Sequence, residues 1–203
     1  MLECNFYQLR VGDVVNMLEG GVTQSFEFAD PRWAAEFTTR TLSKDERAIY
    51  RAWNETLRGS LHPFLAHDYD RPFPGAYPNG FDLTRATGGV FDGLATVTGL
   101  TATTISVSTL PANFILQIGD YIGLIEAGKR GLHRIVEAVT GNSGGAVTVT
   151  VEPAVLTNVF TTAALANFSR PEAEMIVQPG SFKCATTARQ QTSASWTGIQ
   201  KLY

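Results

Sequence analysis

The sequence predicts a mainly β protein with one α-helix, in which a small barrel interrupts another β domain. Hydrophobic residues make up 44% of the 203 residues and charged residues only 17%, with 19 glycines. That composition favours short strands and turns over a helical bundle. Residues 84–110 are nearly devoid of charge, and the charged segment Arg170-Pro171-Glu172 follows the block. We therefore predict an α+β fold with a discontinuous domain, residues 1–83 plus 170–203, and an inserted OB-like barrel, residues 84–169.

The N-terminal part predicts a β-β-α unit. Residues 1–20 have mixed character, typical of an arm or a short helix that closes at Gly20-Gly21. Residues 22–28 and 32–40 alternate apolar and polar side chains on either side of a turn that contains Pro31. Two such segments predict a β-hairpin, and the helix follows directly.

The helix is predicted over residues 43–59. Ser43 and Glu46 form a capping box, and Gly59 is suited to the C-terminal end. Ile49, Trp53 and Leu57 recur at four-residue steps, so their stripe is predicted to pack on a sheet. The predicted core combines the stripe with the aromatic residues of the hairpin: Phe26, Phe28, Trp33, Phe37, Ile49, Trp53 and Leu57.

Residues 60–81 contain four prolines and several aromatic residues. A strand is predicted at the start of PFLAHDY, and the remainder reads as irregular because proline cannot donate to a strand ladder. Such a long loop is typical of a binding segment or of a passage between domains. Its large apolar residues have no evident place in the core of one subunit, so we predict a subunit interface formed by Phe64, Phe73, Tyr77 and Phe81.

The inserted block predicts a small closed barrel. Short apolar strands recur at roughly ten-residue spacing, which is typical of such barrels, at 103–109, 114–126, 132–140 and 146–153. Two further strands, 174–178 and 193–202, are predicted to close the first domain, with Trp196 and Ile199 buried. The net charge of −3 and the single basic residue between 84 and 125 argue against nucleic-acid binding.

The sequence contains no catalytic constellation, so we expect neither enzyme activity nor a cofactor. Cys4 and Cys184 are far apart and share no metal-ligand spacing with the three histidines. The sharpest polar cluster is His67-Asp68-Tyr69-Asp70, which is interpreted as a polar turn because a cation site needs more carboxylates. No apolar run is long enough to span a membrane, and the first residues lack a signal-peptide pattern.

Several segments together resemble the distal tail proteins of long-tailed bacteriophages, in the subgroup whose ring-forming domain is interrupted by an OB-type barrel. RWAAEFTTRTLSKDERAIYRAWNETLRG resembles the strand and helix of that family, and PFLAHDYDRPFPGAY resembles the strand that leaves the helix. LPANFILQIGDYIGL, GLHRIVEAVT and AVTVTVEP resemble its barrel, and SFKCATTARQQTSASWTGIQKL resembles its closing strands.

The resemblance implies a structural virion protein made in the host cytoplasm. Such proteins form a hexameric ring that joins the tail tube protein to the hub or fibre-bearing tip proteins. A β-sandwich-like domain surrounds the DNA channel without binding DNA specifically, and the barrel projects outward. The resemblance implies no catalytic, cofactor-binding or metal-binding residues.

A second hypothesis from another class is a carbohydrate-binding or receptor-binding adhesin module. Sugar rings stack on exposed aromatic side chains, and this hypothesis uses Trp33, Tyr69, Phe73 and Tyr77 as the platform.

Overall fold

The computed structural model describes residues 2–10, 12–17, 23–27, 29–185 and 192–203. Along the chain its elements are β1 (Leu2–Leu9), β2 (Asp13–Met17), β3 (Thr23–Glu27), β4 (Arg32–Thr39), α1 (Lys44–Thr56), β5 (Phe64–Ala66), β6 (Leu94–Leu100), β7 (Thr104–Ser108), β8 (Ile115–Leu116), β9 (Tyr121–Glu126), β10 (Lys129–Ile135), β11 (Val139–Thr140), β12 (Val147–Glu152), β13 (Leu165–Asn167), β14 (Ala173–Val177) and β15 (Ser195–Gln200). The predicted fold class, mainly β with one helix and a small barrel, is confirmed for these residues.

One sheet draws its strands from both ends of the chain. Its order is β1-β4-β15-β14-β5, and all neighbours are antiparallel. Trp33, Phe37 and Trp196 are buried on the face that carries α1, and the ring of Phe37 stacks on Trp196 at 5.2 Å. The predicted closing strands are therefore present as β14 and β15, although Ile199 lies on the opposite face and is half-buried.

The predicted hairpin of residues 22–28 and 32–40 is wrong. β3 pairs with β2, whereas β4 lies between β1 and β15. The backbone groups of β4 pair along both edges of the strand, with β1 and β15 from the two ends of the chain. Residues 13–17 form a strand instead of a helix. Phe28 and the side chain of Phe26 lie outside the described part, as do residues 18–22.

The helix begins as predicted and packs through a different face. The capping box of Ser43 and Glu46 is confirmed, and the helix ends at Thr56 with Leu57 as the C-cap. Leu57 is buried and Trp53 half-buried, as expected, but Ile49 is 67% exposed and Arg47 is buried. Contacts to the sheet explain this rotation, because the rings of Tyr50 and Trp53 both pack against Trp196, at 5.9 and 5.1 Å.

The barrel closes on itself in the order β10-β12-β7-β6-β13-β9. It has six strands where four or five were predicted, because residues 165–167 close the gap between β6 and β9. Short strands β8 and β11 pair with each other beside it. Alternating side chains fill the interior with aliphatic residues and with a cluster of rings that includes Phe91, Phe114 and Phe168.

Candidate assembly surfaces

The sheet has a long free edge. β1 has eight residues, and within the described part of the chain it pairs only with β4. The amide of Thr39 donates to the carbonyl oxygen of Ala194, so the backbone groups of Thr39 point away from β1. Successive residues of a strand point to opposite edges, so Thr38 and every second residue from it direct their backbone groups toward β1. In the β1 register, Glu3, Asn5 and Tyr7 consequently face β4, and the even-numbered residues turn their backbone groups outward. An exposed edge of this length is a template for pairing with another strand.

The opposite edge is shorter. β5 has three residues and, among the residues that the structure describes, pairs only with β14. Leu65, within β5, is an exposed large side chain at this edge. The sheet therefore ends in two unequal edges, one on β1 and one on β5.

The hairpin of β2 and β3 forms a separate two-stranded sheet. Within the described residues, neither strand pairs with any other strand. Val15 in β2 is 62% exposed. An isolated two-stranded hairpin is marginally stable in water, so this element gains from contact with a partner.

The face of the sheet away from α1 is polar along β4 and β15. Glu36, Thr38 and Thr197 alternate with the buried residues of these strands and line an open groove of about 320 Å³ together with Ser181 and Lys183. Glu3 lies directly opposite Thr38, and Glu174 lies on the same face at β14. This face thus carries the carboxylates of Glu3 and Glu36, the ammonium group of Lys183, and a Glu174 that is paired with Lys201 at 3.1 Å.

The four predicted interface residues all pack within the same chain. Tyr77 stacks on Phe114 at 4.8 Å with nearly parallel rings, and its hydroxyl accepts from the amide of Ile115. Phe81 packs edge-on against Phe91, and Phe73 against Phe81. Phe64 contacts Phe37 and Trp53 at the α1 side of the sheet. The premise that these rings lack a place in one subunit is therefore wrong.

Residue Asp120, which the sequence did not single out, ties this loop to the barrel. Its fully buried carboxylate accepts from Arg71 at 2.7 Å and from the amides of Gly75 and Gln117 at 2.8 and 2.7 Å. The Gly-Asp-Tyr turn was visible in the sequence, but nothing local indicated that the aspartate is buried. Residues 67–81 form a strap held from both sides.

The His67-Asp68-Tyr69-Asp70 cluster takes part in this strap. Asp68 accepts from the hydroxyl of Tyr121 at 3.0 Å, from the amide of Asp70 at 2.9 Å and from the thiol of Cys4 at 3.8 Å. Burial raises the pKa of the Cys4 thiol, so it stays protonated and able to donate. In the described part of the chain, no group of three His, Cys, Asp or Glu residues is placed to hold a metal.

The aromatic platform of the adhesin hypothesis is not formed. Trp33 is fully buried, and its Nε1 donates to the carbonyl oxygen of Leu132. Phe73 and Tyr77 are engaged in the strap, which leaves Tyr69 as the exposed member of the set. These four residues do not share a surface on which a sugar ring can stack.

No helix among the described residues is long and apolar enough to cross a membrane. A scan against protein-family models and a search of curated proteins find no match for this chain.

Proposed function

We propose that this chain is a structural subunit of a phage tail tip and that six copies form a ring between the tail tube and the hub. The observation that carries the proposal is the eight-residue edge of β1, on a sheet whose other edge is β5; no further strand of the described residues pairs with either edge. Monomeric proteins commonly shorten, charge or cover such an edge. The location in a phage tail and the number of six copies come from the resemblance to distal tail proteins.

The two edges suit a head-to-tail contact. When β1 of one copy pairs beside β5 of the next, the same surfaces are used at every junction, and a rotation that closes gives a ring. Backbone hydrogen bonds then hold the ring, supported by exposed apolar residues near the short edge such as Leu65. This arrangement replaces the interface through Phe73 and Tyr77, because those rings are needed inside their own subunit.

In such a ring the helix-free face of the sheet lines the channel, and α1 lies outside. Support comes from the side chains of that face, where Glu3 and Glu36 lie near Lys183, and where Glu174 is paired with Lys201. Charges of both signs are interspersed there without a basic patch, so DNA passes along this wall without binding to it. In the isolated hairpin of β2 and β3, the exposed Val15 offers an apolar contact to a neighbouring subunit or tail protein.

The β1 edge is tested by Gln8→Pro. The amide of Gln8 points away from β4, so proline removes an outward donor and blocks the edge while the ladder to β4 is retained. We expect wild type to elute as a ring in gel filtration with light scattering, at low and high salt, and Gln8→Pro to elute as a folded monomer. Gln8→Ala, which keeps the amide, is the matched control and should behave as wild type. A ring formed equally well by Gln8→Pro would remove β1 from the interface.

A further inference from the structure

The outer surface of the barrel carries a continuous strip of hydroxyl groups. The register places Thr96 opposite Ser108, Ser106 opposite Thr148 and Thr104 opposite Thr150, so hydroxyls lie side by side across three strands. The Oγ atoms of Ser106 and Thr148 are 2.8 Å apart. Apart from Glu152 at its end, β12 presents only threonine outward, and the outward positions of β6 and β7 carry no charge. The carboxylate of Glu137 borders the strip, where it accepts from the hydroxyl of Thr150 at 3.0 Å. Protein surfaces usually carry interspersed charges, so strand positions this poor in charge are unusual.

This strip leads into an open groove of about 360 Å³ on the β6 and β13 side of the barrel. The residues that line it include Arg85, Thr87, Asp92, Thr96, Thr109 and Leu165. The volume falls at the lower end of the range for small-molecule sites and is enough for one or two sugar rings. Leu165 is 43% exposed and offers an apolar contact beside the hydroxyls.

The one cation of the groove is already neutralised. Arg85 donates to Asp92 at 2.6 Å and to the carbonyl oxygen of Thr109 at 2.7 Å. The same oxygen of Asp92 also accepts from the amide of Leu94 at 3.0 Å. The Asp92 carboxylate is 61% exposed, and its other oxygen accepts no hydrogen bond from the described residues. The Thr109 hydroxyl already accepts from Arg85 and from the amide of Thr96, each at 3.2 Å. The groove therefore offers a ligand one strong acceptor, the hydroxyls of Thr87 and Thr96, and no uncompensated positive charge among the described residues that line it.

We propose that the groove and the adjoining strip bind a neutral saccharide chain. A saccharide supplies hydroxyl donors for Asp92, donors and acceptors for the threonines, and C–H groups for Leu165. An acidic polymer would meet Asp92 without a free cation, and charge–charge repulsion would oppose it. This inference rests on the barrel surface alone and is independent of ring formation.

Binding to the full chain is measured by saturation-transfer NMR and by calorimetric titration. The probes are lactose and 3′-sialyllactose, which carries the same disaccharide with one added carboxylate. Maltose and diacetylchitobiose extend the neutral set. We expect at least one neutral disaccharide to bind. If lactose binds, it should bind more tightly than its sialylated form. Absence of binding by all neutral probes at tens of millimolar, a concentration far above the Kd of a useful site, would overturn the proposal.

Two variants locate the site. Asp92→Asn weakens the acceptor, so the affinity for the neutral probe should fall about tenfold, the usual loss for a hydrogen bond to a charged group. The same change leaves Arg85 with a net positive charge, so the affinity for sialyllactose should rise. Thr96→Val removes one hydroxyl at constant volume and should also weaken the neutral probe. Asp82→Asn, the same change at an exposed position outside the groove, is the control. Equal affinities in Asp92→Asn and Asp82→Asn would place binding elsewhere and refute this site.

Discussion

The indole Nε1–H of Trp33, in the middle of the sheet, donates a 2.6 Å hydrogen bond to the carbonyl oxygen of Leu132 in the barrel. The guanidinium of Arg134 lies 4.9 Å from the Trp33 ring and 4.8 Å from the Tyr121 ring, and it also contacts the Tyr121 hydroxyl. Tyr121 and Leu132 are buried in the same core cluster as the sheet residues. The two parts of the chain thus share a packed junction with a hydrogen bond at its centre.

Trp33→Phe tests that junction. The change removes the donor and leaves a cavity and an unpaired buried carbonyl, so we expect the free energy of unfolding to fall by about 2–4 kcal/mol. Urea denaturation followed by circular dichroism measures it. Trp53→Phe is the control, because that half-buried indole packs on Phe64 and Trp196, and its loss should cost less. Equal losses in the two variants would mean that the bond to Leu132 adds nothing.

Local signals predicted the helix, and distant contacts decided its orientation. The capping box depends on residues three positions apart, so the sequence revealed it. The buried face depends on Trp196, near the other end of the chain, which attracts the rings of Tyr50 and Trp53. Similarly, β4 alternates clearly enough to be recognised as a strand, but its partners β1 and β15 come from both ends of the chain.

The candidate surfaces were harder to predict than the fold for the same reason. In sequence, the aromatic residues of the 60–81 segment resemble interface residues. The fold shows that Tyr77 packs on Phe114 and Phe81 packs on Phe91. Asp120 gave no local sign of burial because its partner Arg71 is 49 positions away. Which strand lies at the edge of a sheet is a property of the whole topology, so the free edge of β1 was not visible in its own sequence.

The rotated helix makes a quantitative prediction. Ile49→Ser should change the free energy of unfolding of the monomer by less than about 0.5 kcal/mol, because the side chain is exposed. Leu57→Ser should cost about 3 kcal/mol or more, because it places a hydroxyl and a cavity in the core. Urea unfolding of a monomeric background such as Gln8→Pro separates these effects from subunit contacts. A large loss in Ile49→Ser would show that the predicted stripe, rather than the observed face, is buried.

The extent of the barrel can be tested with two fragments. Tyr77, Phe81 and Leu83 pack against the barrel core although they precede residue 84. A fragment of residues 76–170 should therefore unfold cooperatively, whereas residues 84–169 should be less stable by about 2–5 kcal/mol, the range for losing large core side chains. Thermal unfolding by near-UV circular dichroism compares them. If both fragments melt at the same temperature, the strap does not belong to the barrel core.

Lowering the pH should reduce the free energy of unfolding because His133 is buried as the neutral imidazole. This histidine is buried, its Nδ1 lies 2.8 Å from the carbonyl oxygen of Pro153, and burial lowers its pKa from 6.5 to about 4. A carbonyl only accepts, so Nδ1 carries the proton of the neutral ring and Nε2 is a buried acceptor without a partner among the described residues. Protonation would place a charge there with nothing to solvate it.

The direction of this pH dependence follows from the pKa of His133 in the unfolded chain, 6.5, and in the folded chain, about 4. Above pH 6.5 the ring is neutral in both states and contributes no pH dependence. As the pH falls from 6.5 toward 4, the unfolded chain binds a proton that the folded chain does not, so stability falls by up to about 3 kcal/mol and then levels off. His133→Asn, which keeps a donor near the Pro153 carbonyl, should flatten this slope in urea unfolding between pH 7 and 5, above the range where most carboxylates titrate. His62→Asn, at an exposed position, should retain the wild-type slope. An unchanged slope in His133→Asn would mean that the buried imidazole is not the titrating group.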